Sequence, residues 1–123
     1  MTHERFRRIA LAFQDTIEGA HMGHPDFRAP GPNGRIFATI HDDEKTGSLT
    51  LTPEQQQHFL REAPDAFFPA PGAWGRAGST SVRFSVVDED TLGEAMTLAW
   101  RNVISKPPKK TKSPKKTKSK GRK

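Results

Sequence analysis

Between Thr80 and Val86 the chain alternates: Thr80, Val82, Phe84 and Val86 fall on one side, Ser81, Arg83 and Ser85 on the other. Successive strand side chains point to opposite faces, so this pattern calls for a sheet with one dry and one wet face. The dry face needs an apolar layer, and one follows immediately. Leu92, Ala95, Met96, Ala99 and Val103 recur at helical spacing, behind Asp88 and Asp90, either of which can cap the helix. A half-covered strand followed by a one-faced helix restricts the chain to a two-layer α+β arrangement.

The remaining elements fit that frame. Phe6, Ile9, Ala10 and Phe13 form an apolar stripe over residues 3–13, with Glu4, Arg7 and Arg8 opposite, which predicts an amphipathic first helix. EGAHMGHPDFRA is too interrupted for a helix. Gly31-Pro32-Asn33-Gly34 is strong turn chemistry between two extended runs, PDFRA and RIFATI. In the second run Ile36, Ala38 and Ile40 alternate with Phe37 and Thr39, so both faces are at least partly covered. HDDEKTG is a polar turn, and residues 48–51 read as a strand. Thr52, Pro53 and Gln55 then supply a cap, a first-turn proline and a capping box for a helix that stops before Pro64. The expected order is α-β-β-β-α-β-α with room for one further short strand. An antiparallel sheet would carry its helices on one face, in a single domain spanning 1–105.

Charge divides the chain at the same boundary. Of 20 Lys and Arg, ten lie in residues 106–123 with no Asp or Glu; residues 1–105 hold the other ten against all 14 acids. The tail repeats itself, Lys109-Lys110-Thr111-Lys112-Ser113 and Lys115-Lys116-Thr117-Lys118-Ser119 around Pro114. Without apolar residues it cannot offset its ordering entropy, so a disordered basic tail is expected. Its charge favours polyanions through counterion release, a sequence-tolerant and salt-sensitive attraction. Lys109, Lys110, Lys112, Lys115, Lys116, Lys118, Lys120, Arg122 and Lys123 are its candidate nucleic-acid contacts.

Several chemistries are excluded or unsupported. The chain has no cysteine, hence no disulfide, thiolate nucleophile or Cys-ligated zinc. No run approaches the ~18 apolar residues of a membrane span. The opening MTHERFRRIALAF lacks the apolar stretch of a signal peptide, so a cytoplasmic protein is expected. His21 and His24, with Asp26 or His41, could be read as metal ligands, but Gly23 and Pro25 oppose the helix that pair would need. Asp42-Asp43-Glu44 reads as an acidic turn. Gly72, Gly75 and Gly78 match neither phosphate-binding fingerprint, and Ser79, Thr80 and Ser81 lack any nucleophile signature. No catalytic residue, cofactor or metal is expected.

The segment FFPAPGAWGRAG, residues 67–78, carries three aromatics among prolines and glycines. Phe67 and Phe68 are assigned to the core. Trp74 and Arg76 are candidates for display, a flat ring beside a planar cation able to stack on a base and pair with a phosphate or carboxylate.

HMGHPDFR, GRIFATI, SLTLTPEQQ, FFPAPGAWGRAGSTSVRF and LGEAMTLAWRNVI come in an order that resembles MmcQ/YjbR-like proteins, over residues 3–104. The resemblance implies a frataxin-like (CyaY-like) two-layer domain and a family commonly labelled DNA-binding. His24, Pro25 and Phe27 match one family element; Pro71, Gly72, Trp74, Gly75 and Arg76 match another. This chain has Thr50 where relatives often carry Lys, and Ser79 where they often carry Trp. Separately, Ser113-Pro114-Lys115-Lys116 resembles the S/T-P-K-K units of linker-histone tails. The leading expectation is a non-enzymatic domain that binds DNA with little sequence preference, mainly through its tail, with His24, Trp74 and Arg76 as a body contact. The rival is a pocket formed by those three residues for a small anionic ring ligand, or a protein-interaction surface.

Overall fold

The computed structural model describes residues 1–21, 23–30 and 34–105. The Gly31-Pro32-Asn33 part of the expected turn, the His21 side chain and the whole tail with its candidate contacts lie outside those residues.

Helix α1 (His3–Leu11) starts at Thr2, whose hydroxyl accepts the Arg5 amide, and buries Phe6 and Ala10 as its stripe requires. Four strands follow in antiparallel succession: β1 (Ile17–His21), β2 (His24–Arg28), β3 (Ile36–Ile40) and β4 (Thr46–Thr50). Helix α2 (Pro53–Glu62) carries the expected capping box, Thr52 and Gln55 each binding the other's backbone amide. Strand β5 (Phe67–Pro69), the short helix α3 (Gly72–Arg76), strand β6 (Ser79–Arg83) and helix α4 (Glu89–Ser105) complete the chain. Asp88 proves to be the α4 cap, accepting the Thr91 amide at 2.8 Å.

The six strands lie in the order β1-β2-β3-β4-β6-β5, every pair antiparallel. Chain reversal through α2 brings β6 beside β4 and leaves β5 at the edge. One sheet face holds Phe27, Ala38, Ile40, Leu49, Val82 and Phe67, all buried, and α1, α2 and α4 cover it. Six of the eight phenylalanines are fully buried there. Phe6 packs on Phe84 at 4.9 Å and Phe59 on Phe67 at 5.2 Å, contacts that add about 0.5–1.5 kcal/mol each beyond their area. The expected α4 stripe, Leu92 to Val103, is buried throughout.

The observed order adds β1, β5 and α3 to the one expected. Phe68 is corrected: it is half-buried on the opposite face from Phe67, with the Arg83 guanidinium 4.3 Å above its ring. Strand residues two apart share a face and neighbours do not, so Phe67 and Phe68 could not both enter one core. The one-dry, one-wet reading of residues 80–86 also needs correction. Ser81 points to the uncovered face yet is only 2% exposed, and β6 ends at Arg83. A small side chain on a central strand is shielded by its larger neighbours.

Candidate functional site

The helix-free face of the sheet is built from small residues. Register places Gly19, Asp26, Thr39, Ser48, Ser81 and Phe68 in one row across six strands. Residues paired across strands share a face, so a glycine and three small side chains sit beside or between larger ones. A second row, nearer the α3 end, contains Arg28 opposite Ile36, and Thr50 opposite Ser79. A β-bulge between Phe27 and Arg28 separates the two rows on β2, letting Phe37 turn into the core while Ile36 stays on the outer face. At the α3 end this face opens into a trough of about 550 Å³ whose walls include Arg28, Arg35, Ile36 and Trp74, with Val103 from the last turn of α4 at its end.

Trp74 is displayed rather than packed, with 77% of its surface exposed. Its platform is fixed from below. The side chain of Gln56, buried on α2, donates from one amide nitrogen to the Gly75 and Ser79 carbonyls, both at 3.0 Å. The Ala70 amide closes the loop onto the Ser79 carbonyl at 3.0 Å. Gly75 is required by close approach, because a Cβ there would lie 1.9 Å from the Ala70 carbonyl oxygen. The prolines, glycines and Gln56 thus shape a rigid turn of helix with an aromatic ring on its outer side.

Electrostatically the trough differs from the acid-rich body around it. Among the described residues no acidic side chain lines it, although Asp26 shares the face beside Arg28. Asp26 is a buried carboxylate that accepts from Arg28 Nε at 2.9 Å and from Arg28 Nη2 at 3.3 Å. The hydrogen bond, then the charge, of Asp26 raise the Arg28 guanidinium above its ordinary pKa. Gly19 makes room for this pair, since a Cβ would meet Asp26 Oδ1 at 3.0 Å and Arg28 Nε at 3.2 Å. Arg28 keeps unused donors on its outer edge. The half-buried Arg35 side chain has no hydrogen-bond or ion-pair partner among the described residues. Thr50 Oγ1 donates to the Ile36 carbonyl, while the hydroxyls of Thr39, Ser48 and Ser79 have no such partner there. Among the described residues, the trough therefore offers one cation and three hydroxyls without a partner, one tethered cation and an aromatic face.

The three expected body residues do not converge. Trp74 lines the trough; Arg76 does not. On a helix, residues two apart point away from each other, so this ring and cation, close in sequence, diverge in space. His24 shares the outer face with Asp26 and Arg28, but lies four residues from Arg28, about 13 Å along the strand. Its Nδ1 is 3.0 Å from Asp42 Oδ1 without hydrogen-bond alignment. Nearby, His41 Nδ1 lies 2.9 Å from Thr46 Oγ1, and burial pushes the His41 pKa down. Among the described residues no group of three or more His, Asp or Glu is placed to hold a metal. No described helix is long and apolar enough to cross a membrane.

Arg28, Arg35 and the hydroxyls were invisible as a motif, because four strands and one loop each supply one or two of them. One indirect signal existed. Thr50 and Ser79, the two departures from the family pattern, are register partners and both line the trough.

Solved structures share this architecture. A Deinococcus radiodurans protein, DR2400, whose domain is designated DUF419, superposes with a TM-score of 0.71 at 19% identity, over 85% of this chain and 80% of its own. A Pseudomonas syringae protein superposes with a TM-score of 0.65 at 14% identity, over 83% of this chain and 98% of its own. At those identities the likeness concerns the fold alone. No curated protein matches the chain by sequence. The YjbR family model, however, matches residues 11–102, from the end of α1 to the last turns of α4. The chain belongs to the YjbR family.

Proposed function

We propose that the protein is a non-catalytic nucleic-acid-binding module of low sequence preference. The tail supplies most of the affinity, and the trough supplies a second contact on the body. The observation that carries this reading is the separation of charge. Ten basic residues and no acid occupy the last eighteen positions, against an excess of acid in the rest of the chain. A body of that sign repels a polyanion except where a local surface reverses it, and the trough is such a surface. If about half of the tail charges engage phosphates, log K falls against log salt with a slope of about −4.5.

Anisotropy of a labelled DNA at several salt concentrations tests this, comparing the full chain with a full-length variant whose tail Lys and Arg are replaced by Gln. The expected result is a steep salt slope that collapses to about −1 or less in the variant. Equal, salt-independent binding by both proteins refutes the role of the tail. One observation favours a second reading, a small planar anion as ligand. Trp74 and two arginines line a trough of about 550 Å³, within the size range of small-molecule sites.

A further inference from the structure

We infer that the trough receives one unstacked nucleotide unit, its base on the Trp74 ring and its phosphate at Arg35, so that the body prefers single strands to duplex. The inference rests on the nucleic-acid reading above and adds what the body itself selects.

The argument starts from Trp74. A tryptophan 77% exposed on a loop clamped by a buried glutamine gains nothing for the fold by its position. A rigid exposed ring is suited to stacking, because little conformational freedom is lost when a flat partner lands on it. Ile36, on the same wall and 36% exposed, extends the apolar surface beside it. An aromatic face is useful only to a partner with an uncovered π-face. Bases inside a duplex have both faces covered by their neighbours, whereas an unpaired base can be splayed out onto a protein ring.

The polar groups match the rest of a nucleotide. Arg35 has no described partner and offers a planar fork suited to a phosphate. Arg28 is partly neutralised by Asp26, so it is positioned to support an anion without trapping it. The Thr39, Ser48 and Ser79 hydroxyls can donate or accept, and so tolerate any of the bases or a sugar. This combination predicts stacking with weak base discrimination, which is how single strands are bound without sequence preference. A free nucleotide and an unpaired nucleotide in a strand share this chemistry.

The test uses the full chain in a Trp100→Phe background, so that emission reports Trp74 alone. Emission and anisotropy are followed with a ten-nucleotide oligo-dT, a duplex of the same length, and free thymidine monophosphate, at one fixed salt concentration. Quenching of Trp74 by oligo-dT but not by duplex is expected, with oligo-dT bound about tenfold more tightly. Trp74→Ala, read by anisotropy, should weaken oligo-dT binding about 5- to 100-fold and leave duplex binding unchanged, while Trp74→Phe keeps a large part of it. Arg35→Gln should weaken oligo-dT binding in the same direction. Quenching by the free monophosphate as well assigns the site to nucleotides at large; quenching by the oligonucleotide alone assigns it to strands. Equal binding of both DNA forms, with Trp74→Ala unchanged and the salt slope intact, overturns the inference and leaves the tail reading standing. No salt-dependent binding of either form overturns the reading beneath it.

Discussion

Gln56 is the residue on which the geometry of the candidate site turns. Its amide nitrogen donates to the Gly75 and Ser79 carbonyls, which lie just after Trp74 in the chain. Each carbonyl also accepts one backbone amide, Gly78 onto Gly75 and Ala70 onto Ser79. Losing Gln56 therefore removes two hydrogen bonds without stranding either acceptor. Gln56→Met preserves volume and deletes only those bonds. At about 0.5–1.5 kcal/mol each, the cost is about 1–3 kcal/mol. Gln56→Ala also opens a cavity under the loop and should cost about 3–5 kcal/mol. In a domain of this size 1 kcal/mol moves the melting temperature by about 4–8 °C, so Gln56→Met should melt about 5–20 °C lower. Gln56→Glu puts an acceptor against two acceptors. Its carboxyl can donate only when protonated, so its deficit should deepen as pH rises above the ordinary carboxylate range. Urea and thermal unfolding give the stabilities. Near-UV circular dichroism in a Trp100→Phe background reads the order of Trp74. A Gln56→Met protein within about 0.5 kcal/mol of the parent, with an unchanged Trp74 signal, would refute the clamp.

Other outcomes follow from single contacts. Thr52→Ala breaks the capping box of α2 and should cost about 1 kcal/mol in urea unfolding. Gly75→Ala forces a Cβ to within 1.9 Å of the Ala70 oxygen, and the backbone shift should cost about 3 kcal/mol or more, seen as a depressed melt or insoluble protein. Trp74→Ala, by contrast, removes an exposed ring and should change stability by no more than about 0.5 kcal/mol. For His41, burial lowers the pKa below its ordinary 6.5, reinforced by the charge of His24 and opposed by Asp43 and Asp42. The unfolded chain then binds the proton more readily than the folded one. Stability should decline as pH falls from 6.5 towards the lower folded value, and His41→Gln should flatten that decline in thermal melts across the window.

Sequence patterns carried the elements that bury a single stripe or end in a cap. Phe6 and Ala10, the Thr52 box and the run from Leu92 to Val103 each advertise themselves within a few residues. β1 did not, because IEGAH is an edge strand with no alternation for packing to impose. β5 was hidden for a different reason. FFP is three residues long and ends in a proline, which its place at the other edge of the sheet allows. Phe68 was misassigned with Phe67 because a three-residue strand is too short to display its period.

The trough was illegible for a reason that bears on its chemistry. Ser48 and Ser81, or Thr50 and Ser79, are unremarkable where they stand in the chain and become neighbours only through a register set by the core on the opposite face. That core fixes which side chains face outward, but not which residues they must be. Large polar residues such as Lys or Glu would serve an ordinary wet sheet face at least as well, and would fill the trough. The concavity therefore depends on Thr39, Ser48, Thr50 and Ser79 all being small at once, around a tryptophan that the fold does not bury. Trp74 and Arg76, a ring and a planar cation two residues apart, part company on α3. The partner geometry gives Trp74 is Arg35, from the loop before β3, and a variant pair tests the substitution directly. Arg76→Gln should leave binding of oligo-dT within about twofold of the parent, inside the ordinary range for a surface change. Arg35→Gln should not. If both arginines matter equally, the tail and general charge govern the body contact, and the trough has no privileged role.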